Sequence, residues 1–547
     1  MRFKHPFIAL ALVLCWLPAY AAASDSSMVV TAHPLATRAG IEMLNNGGNA
    51  FDAAAATALA LGVVEPASSG IGGGGFFMLY IAKENRYVMI DAREASPILA
   101  GQGKVFQNIS SIDGPAAAGV PGLAAGVDHL VNRYGKLPRK QIVAPAAKLA
   151  RDGFIVTPRL AGMIRFRRAG FNDTARTIFD KKEGETIRQV ALSETLNRFA
   201  LKGKKGFYRG QIAGRLVADI KRAGGLIREA DLANYRIKER EPVTFDWQGY
   251  RFISAALPSS GGMTLAHIFG QLKKDNLKKL NRSDRIHLLT ETMKRAYRDR
   301  NRHLGDTDFV EIPADYLEKA RLKELRSSID MKRATPSDEL QGVGEMGGGM
   351  DTTHFSIIDR EGNMVSATLS INYPFGSGFV SSSTGILLND EMDDFAVIPG
   401  EANAYGLVQG QANSVEPGKR MLSSMTPTFV IGPDRTFIVG TPGGSRIISM
   451  VLLASLGFAL NESEPATWIN NPRYHHQFLP DQIQHEKGAF DEKTTTELKQ
   501  RGHQLKPLNR SYGNMHAILL NHKTGKLTGI ADRRGEGVAM KTDKGLK

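Results

Sequence analysis

A glycine-rich segment that changes abruptly into a β-hairpin is the strongest folding signal in this chain of 547 residues. The segment 342–349 contains five glycines and no regular pattern, which predicts a flexible connection. The strand-like runs 352–358 and 364–369 follow, separated by the turn sequence 359–363. Strand, short turn and strand in this order are typical of a β-hairpin. The sequence therefore predicts a connection that leads directly into a strand beginning with a threonine.

The register of this hairpin places a second hydroxyl group beside Thr352. Pairing that is symmetric about residue 361 puts Ser370 opposite Thr352, since each lies nine residues from the centre. Directly opposed residues of an antiparallel pair share one face, with Cβ atoms about 5 Å apart. A bulge at Gly362 would shift the pairing by one residue. On composition alone, the pair is more simply a structural Thr/Ser contact than a reactive one.

The N-terminal half predicts helices followed by a glycine-rich turn and a strand. Periodic or alanine-rich runs predict helices over 36–44 and 53–61, the second capped by Asn49. Four consecutive glycines at 72–75 then lead into the strand-like run 76–80. Because no Gly-Lys-Ser/Thr follows, close backbone packing beside a site is a better interpretation than a phosphate loop.

The remaining regions each have a dominant type of element. Residues 120–330 predict mainly helices, with strands near 243–252 and a turn at 258–262 that leads into a helix. The region 352–441 is strand-rich, and 447–458 is helical again. A chain of this length predicts two to four domains or one large layered domain.

The first 23 residues have the pattern of a secretory signal peptide. A positively charged start precedes an apolar run of 11 residues, 7–17, which is too short to span a bilayer comfortably. Two small-x-small cleavage sites follow, and the second would leave Ser24 as the new N-terminus. An uncleaved anchor is the alternative. We therefore expect an exported protein, either periplasmic or secreted.

Cysteine, charge and histidine usage exclude several functional classes. Cys15, the only cysteine, lies inside the signal, so the mature chain would have no disulfide, thiolate metal site or cysteine nucleophile. Removal of Arg2 and Lys4 lowers the net charge from +15 to +13. The basic residues are scattered, so nucleic-acid binding is not predicted. His475 and His476 are adjacent and would point to opposite faces, so we expect neither a metal nor an organic cofactor.

Several runs of residues resemble, in order along the chain, the γ-glutamyltransferase (glutathione hydrolase) family. These runs are 72–76, 91–94, 258–262, 351–356, 385–389, 392–395, 419–425 and 440–446. The resemblance implies an α+β fold, a four-layer αββα sandwich of the N-terminal-nucleophile hydrolase type. It also implies autocatalytic cleavage between Asp351 and Thr352. The products, a large chain of 24–351 and a small chain of 352–547, would pair as a heterodimer in one composite catalytic domain.

The resemblance assigns the catalytic roles. Thr352 would be the nucleophile, with its own freed α-amino group as the base, and Ser370 would support it. Family members often carry threonine at the position of Ser370, and the residue at Asp351 varies. The adjacent N–H groups of Gly443 and Gly444 would form the oxyanion hole, although these glycines alone would indicate only an ordinary turn.

The resemblance also assigns the substrate pocket. A γ-glutamyl group carries an α-carboxylate and an α-ammonium, so we expect a cation at one end of the pocket and anions at the other. Arg93 suits the carboxylate because a guanidinium binds it in bidentate fashion, and Ser423 and Ser424 add hydroxyl donors. The residues assigned to the ammonium are Asn372, Glu391 and Asp394. Tyr405 resembles a lid residue of one family branch and would close over the site by bonding Asn372.

The expected reaction is attack by Thr352 on a γ-glutamyl amide, with glutathione as the foremost substrate. Water, an amino acid or a peptide would then accept the γ-glutamyl group. The nearest alternative is a related glutaryl or cephalosporin-type acylase; Glu391 and Asp394 argue against it because a glutaryl group has no ammonium. The other alternative is an uncleaved binding protein that has lost catalysis, which the intact Thr352, Gly443 and Gly444 argue against.

Overall fold

The computed structural model describes residues 24–101, 103–340, 352–396 and 410–542. The helices are α1 (Pro34–Asn45), α2 (Ala50–Val64), α3 (Leu123–Arg133), α4 (Arg139–Asp152), α5 (Pro158–Arg167), α6 (Asp173–Phe179), α7 (Val190–Lys202), α8 (Lys204–Tyr208), α9 (Gly210–Arg222), α10 (Glu229–Asn234), α11 (Gly261–Gln271), α12 (Arg282–His303), α13 (Lys319–Ser327), α14 (Ile447–Leu460), α15 (Pro465–Asn470) and α16 (Glu492–Gln500). The strands are β1 (Met28–Thr31), β2 (Gly74–Ile81), β3 (Arg86–Ala92), β4 (Phe154–Ile155), β5 (Thr186–Ile187), β6 (Lys238–Arg240), β7 (Val243–Trp247), β8 (Tyr250–Ser254), β9 (Thr353–Ile358), β10 (Met364–Ser370), β11 (Thr428–Ile431), β12 (Arg435–Gly440), β13 (Tyr474–His475), β14 (Ile483–His485), β15 (Leu505–Pro507), β16 (His516–Asn521), β17 (Leu527–Ala531) and β18 (Val538–Lys541).

Two antiparallel sheets form the centre of the molecule. The first has seven strands in the order β18-β1-β9-β10-β2-β3-β6, and the second has six in the order β17-β16-β12-β11-β8-β7. Each sheet combines strands from before and after Thr352. In the first sheet, β1 pairs with β9 on one side and with the C-terminal strand β18 on the other. The parts of the chain on either side of Thr352 are therefore interleaved in both sheets.

Side-chain alternation in the first sheet separates two hydrophobic cores. Phe355 and Ile357 pack in a core with the buried alanines of α2 and with residues of α3 and α4. Ile358 and Met364 pack in the other core with Val439 of the second sheet. Residues of α11, α12 and α14 complete this second core. The layers are thus helices, sheet, sheet and helices, which confirms the αββα sandwich.

Local signals in the sequence account for several elements. The helices expected over 36–44 and 53–61 are α1 and α2, and Asn49 caps α2 as predicted. Its side chain accepts hydrogen bonds from the N–H groups of Phe51 and Asp52 at 2.9 and 3.1 Å. Asp52 in turn accepts from the N–H of Asn49 at 2.9 Å, which completes a capping box.

The hairpin has the predicted register. The pairs of β9 and β10 run from Ile358–Met364 to Thr353–Leu369, so they are centred on residue 361 and no bulge shifts them. The glycines before β2 allow close packing against this hairpin, as expected. A Cβ atom on Gly73 would lie 2.3 Å from the carbonyl oxygen of Ser370.

The helices give no indication of a membrane-spanning segment. Among residues 24–101, 103–340, 352–396 and 410–542, no helix is both long enough and apolar enough to cross a bilayer. The signal peptide expected over residues 1–23 lies outside the described residues.

Candidate active site

The hairpin positions Thr352 and Ser370 on the face that looks toward the second sheet. Further along this face, His354 and Thr368 oppose each other, and His354 Nδ1 lies 2.9 Å from Thr368 Oγ1. Ser356 extends toward the second sheet and donates to the carbonyl of His516 at 3.1 Å. By the same alternation, Thr352 and Ser370 face the space between the sheets at the open end of the hairpin. Both line one cavity that opens to solvent.

Ser370 supports the backbone of the next cavity residue. Its hydroxyl oxygen accepts a hydrogen bond from the N–H of Asn372 at 2.8 Å. Asn372 has a φ of 71°, in the left-handed region that non-glycine residues seldom adopt. Its amide nitrogen Nδ2 donates to the carbonyl of Asp390 at 3.1 Å. Ser370 therefore helps to hold Asn372 in a conformation that directs it at the cavity.

Another part of the cavity wall is the beginning of a helix. Gly443 precedes a 3₁₀ turn, Gly444–Arg446, which continues directly into α14. The first N–H groups of a helix have no intrahelical acceptor and carry the positive end of its dipole. Gly443 has a φ of 141°, and a Cβ atom there would lie 2.5 Å from Met450 Cε. Gly444 lines the cavity, so the N–H end of this helix borders the same space as Thr352 and suits a negatively charged oxygen.

Arg93 forms the centre of a buried charge cluster. Its side chain is only 1% exposed, and Nη1 donates to Glu391 Oε2 at 2.5 Å. Nη2 pairs with the carboxylate of Asp394, and Nη1 lies 3.4 Å from Glu94 Oε2. The expectation of a cation and anions at opposite ends of the pocket is therefore wrong. An amino-acid head group carries its ammonium and carboxylate on one carbon, so a site that binds both needs adjacent opposite charges.

Burial and mutual attraction shift the ionisation of this cluster. Burial disfavours a charged guanidinium, but the surrounding carboxylates outweigh it and hold the pKa of Arg93 above its ordinary value. Burial raises the pKa of Glu391 well above its ordinary range, although Arg93 opposes this shift. Burial also raises the pKa of Glu94 to about 7. The cluster therefore contains one acid, Glu94, whose protonation can change near neutral pH.

Two serines line the cavity beside this cluster. Ser423 Oγ accepts a hydrogen bond from the N–H of Met425 at 3.1 Å. Ser424 Oγ accepts from Arg300 Nη2 at 2.9 Å. Their hydroxyl groups are positioned for a ligand by contacts on the protein side of the cavity.

One cavity thus brings together most of the residues that the sequence singled out. Its lining includes Arg93, Thr352, Ser370, Asn372, Asp394, Ser423, Ser424 and Gly444. Glu391 lies behind Arg93, and Gly443 precedes Gly444. Asp351 and Tyr405 lie outside the described residues, so the cleavage position and the lid remain predictions.

Sequence reasoning missed three residues at or near the site. Arg300 lines the cavity from α12, whose dense charges gave no signal of burial. Glu94 lies within the matched run 91–94 but was given no role. Glu65, at the end of α2, accepts a hydrogen bond from Thr353 Oγ1 at 2.7 Å. That contact anchors the start of β9 on the helix-facing side of the sheet, directly after Thr352.

The adjacent histidines have separate partners. The two ring nitrogens of His475 lie 2.8 Å from Ser449 Oγ and 2.9 Å from Gln477 Oε1. His476 Nε2 lies 3.1 Å from Asp481 Oδ1. In the described part of the chain, no group of three or more His, Cys, Asp or Glu side chains is placed to hold a metal ion.

A threonine hydroxyl at the start of a strand, facing the space between two sheets covered by helices, defines the architecture of an N-terminal-nucleophile hydrolase. Comparison with known proteins makes the assignment specific. The γ-glutamyltranspeptidase family model matches residues 36–542. The glutathione hydrolase proenzyme of Escherichia coli (strain K12) is 39% identical over 534 residues, which cover 93% of this chain and 91% of that protein. The chain therefore belongs to the γ-glutamyltranspeptidase family.

Solved structures agree with this assignment. The cephalosporin acylase from Bacillus halodurans superposes with a TM-score of 0.83 at 26% identity, covering 94% of this chain and 96% of that one. The γ-glutamyltranspeptidase of Helicobacter pylori is 37% identical with a TM-score of 0.55, covering 57% of this chain and 94% of that one. The fold is shared with both, and sequence identity is higher to the transpeptidase.

Proposed function

We propose that this protein cleaves the γ-glutamyl amide of glutathione and related compounds through a γ-glutamyl ester on Thr352. The observation that carries this proposal is the convergence of three groups on one cavity. These are the hydroxyl of Thr352, the N–H groups at the start of α14, and the charge cluster around Arg93. Family membership and the identity to the E. coli proenzyme support the same reaction.

The groups in the cavity suit each step of acyl transfer. Thr352 Oγ attacks the γ-carbonyl carbon while its α-amino group takes the hydroxyl proton. The N–H groups of Gly443 and Gly444 stabilise the resulting oxyanion. The oxyanion then collapses and the C–N bond of the substrate amide breaks. The protonated α-amino group of Thr352 gives its proton to the leaving amine. Water, or the amine of an amino acid or peptide, attacks the ester and releases glutamate or a new γ-glutamyl amide.

The charge cluster selects a substrate with both an ammonium and a carboxylate. Asn372, Glu391 and Asp394 provide oxygen acceptors for the α-ammonium. Arg93, Ser423 and Ser424 provide donors for the α-carboxylate. An acylase specific for a glutaryl group would gain no contact from these acids, because a glutaryl group has no ammonium to donate hydrogen bonds to their oxygens. The acids therefore favour γ-glutamyl substrates over the acylase alternative.

Maturation uses the same hydroxyl group. Thr352 attacks the carbonyl of Asp351, and hydrolysis of the ester gives the large chain 24–351 and the small chain 352–547. The two chains stay together as a heterodimer because their strands share both sheets. Export removes residues 1–23 and delivers the protein to the periplasm or the medium. Tyr405 acts as a lid over the acyl-enzyme.

Replacement of Thr352 tests the whole proposal. Thr352→Ala should give a folded single chain of 24–547 without activity on a γ-glutamyl anilide. Thr352→Ser should cleave and turn over, and Thr177→Ala, at an exposed threonine of α6, should behave as wild type. Denaturing gels and anilide release measure both properties. Normal cleavage of Thr352→Ala would show that an outside protease acts, and retained activity would place the nucleophile elsewhere.

A further inference from the structure

A second guanidinium group lines the same cavity as Arg93. Arg300 of α12 is completely buried, yet its side chain borders the same space as Thr352. Nε donates to Ser260 Oγ at 2.8 Å, and Nη2 donates to Ser424 Oγ at 2.9 Å. Nη1 donates to Asn301 Oδ1 at 2.8 Å. Each of these acceptors is uncharged.

The two cavity arginines differ in how their charge is compensated. Arg93 forms ion pairs with three carboxylates, whereas Arg300 forms no ion pair with any residue in the described part of the chain and is attracted only at longer range by one of those acids, Asp394. Burial lowers the pKa of Arg300, but a guanidinium stays protonated in proteins. An unpaired buried charge is costly to a fold. A cavity wall that contains a buried guanidinium without an ion-pair partner is suited to an anionic ligand.

Arg300 also determines which way the serine hydroxyl groups point. Because Ser424 Oγ accepts from Arg300, its own hydrogen is left to donate elsewhere. Ser260 Oγ accepts from Arg300 and donates to the carbonyl of Ser423 at 2.7 Å. One guanidinium thus holds the backbone of Ser423 and the side chain of Ser424.

We propose that Arg300 is a specificity-determining residue for the α-carboxylate of the substrate. It supplies a positive charge that no ion pair occupies, and it orients the hydroxyl of Ser424 as a donor to the carboxylate. Arg93 donates to the same carboxylate and also holds the three acids in place for the ammonium. This inference rests on the proposed function and refines its division of roles.

Truncated substrates separate the two ends of the head group. A glutaryl anilide keeps the carboxylate and lacks the ammonium, whereas a 4-aminobutyryl anilide keeps the ammonium and lacks the carboxylate. We would measure kcat/KM of the matured enzyme for these two and for the γ-glutamyl anilide. If a truncated anilide reacts too slowly to measure, the inhibition constants of glutarate and 4-aminobutyrate against γ-glutamyl anilide turnover compare the two ends of the head group instead. The variants are Arg300→Met, Arg300→Lys and, as control, Arg302→Met, which removes an exposed charge from the same helix.

Arg300→Met should lower kcat/KM about tenfold or more for the γ-glutamyl and glutaryl anilides. It should change the value for the 4-aminobutyryl anilide less than about twofold, because no carboxylate contact is lost. Arg300→Lys should recover part of the loss, and Arg302→Met should show none. Equal losses on all three substrates would overturn the proposal, as would full activity of Arg300→Met on the γ-glutamyl anilide.

If Arg300→Met does not fold, the proposal can still be tested. Ser424→Ala deletes the hydroxyl that Arg300 orients and keeps the guanidinium, so it should show a smaller loss with the same substrate pattern. An Arg300→Met chain that fails to mature leaves Arg300→Lys and Ser424→Ala to decide, and equal losses across the substrates would again overturn the proposal. If the wild-type enzyme turns over none of the anilides, the proposed function itself fails.

Discussion

Ser370→Ala is expected to impair the site through the backbone of Asn372. The substitution removes the oxygen that accepts the Asn372 N–H at 2.8 Å. Both residues are buried, at 4% and 2% exposed, so the Asn372 N–H loses an acceptor inside the protein. Leaving a buried donor unsatisfied costs about 1–3 kcal/mol. If the cost falls on the geometry needed for reaction, it corresponds to a loss of roughly 5- to 150-fold in rate.

The assay compares Ser370→Ala with two matched variants. Ser370→Thr keeps a hydroxyl and should cleave and turn over close to wild type. Ser366→Ala removes a similar acceptor, since Ser366 Oγ accepts the N–H of Thr428 at 3.2 Å. It lies on the same face of β10, about 13 Å further along the strand. A time course of chain cleavage, kcat/KM on a γ-glutamyl anilide and Tm would be measured for each.

The two alanine variants should therefore differ in activity and resemble each other in stability. Both should have a lowered Tm, but only Ser370→Ala should cleave slowly or lose kcat/KM. If Ser370→Ala lost stability yet cleaved and reacted as wild type, the position of Asn372 would not matter to the chemistry. If Ser366→Ala lost as much activity, the effect would be global instability rather than local geometry.

Four further outcomes are expected. Arg93→Ala leaves buried carboxylates without a cation and should lower both Tm and kcat/KM, the latter by about tenfold or more; unchanged kinetics would exclude it from the site. Thr353→Val loses the hydrogen bond to Glu65 and should slow chain cleavage, measured on gels. Glu65→Gln keeps an acceptor for Thr353 and should slow cleavage less. Equal cleavage rates in wild type and both variants would exclude a role for this contact in positioning Thr352. Burial raises the pKa of Glu94 from 4.5 to about 7. The contribution of protonated Glu94 to the free energy of unfolding is therefore complete below pH 4.5 and is lost as the pH rises to about 7. The Tm of Glu94→Gln should therefore rise relative to wild type across that range, and a constant difference would contradict the shift. N-terminal sequencing of the mature large chain should begin near Ser24, and Met1 would contradict export.

Local patterns in the sequence predicted the framework of the site. The turn 359–363 and the alternating runs around it determine the register that places Ser370 opposite Thr352. Asn49 was recognisable as a helix cap because capping depends on residues within one turn of each other. Such features need no knowledge of the rest of the fold.

Features that depend on distant contacts could not be predicted in the same way. Arg300 belongs to α12, where charged residues recur so often that the helix resembles a solvated surface. Arg300 is buried because α12 packs against elements that come both before and after Thr352 in the sequence. Hydrophobic periodicity within the helix does not reveal such packing. The direct pairing of Arg93 with Glu391 joins residues 298 positions apart. Family resemblance named both residues, but only the fold shows that they neutralise each other.

The interleaving of strands across Thr352 has a consequence for the life of the enzyme. The precursor folds as a single chain, so both sheets form in a unimolecular reaction. If the bond before Thr352 is cut as proposed, β1 of one fragment lies between β9 and β18 of the other. Recovery from unfolding then requires two separate molecules to meet, and it depends on concentration. If the chain is cleaved as proposed, the time for which the active enzyme survives therefore depends on how slowly it unfolds.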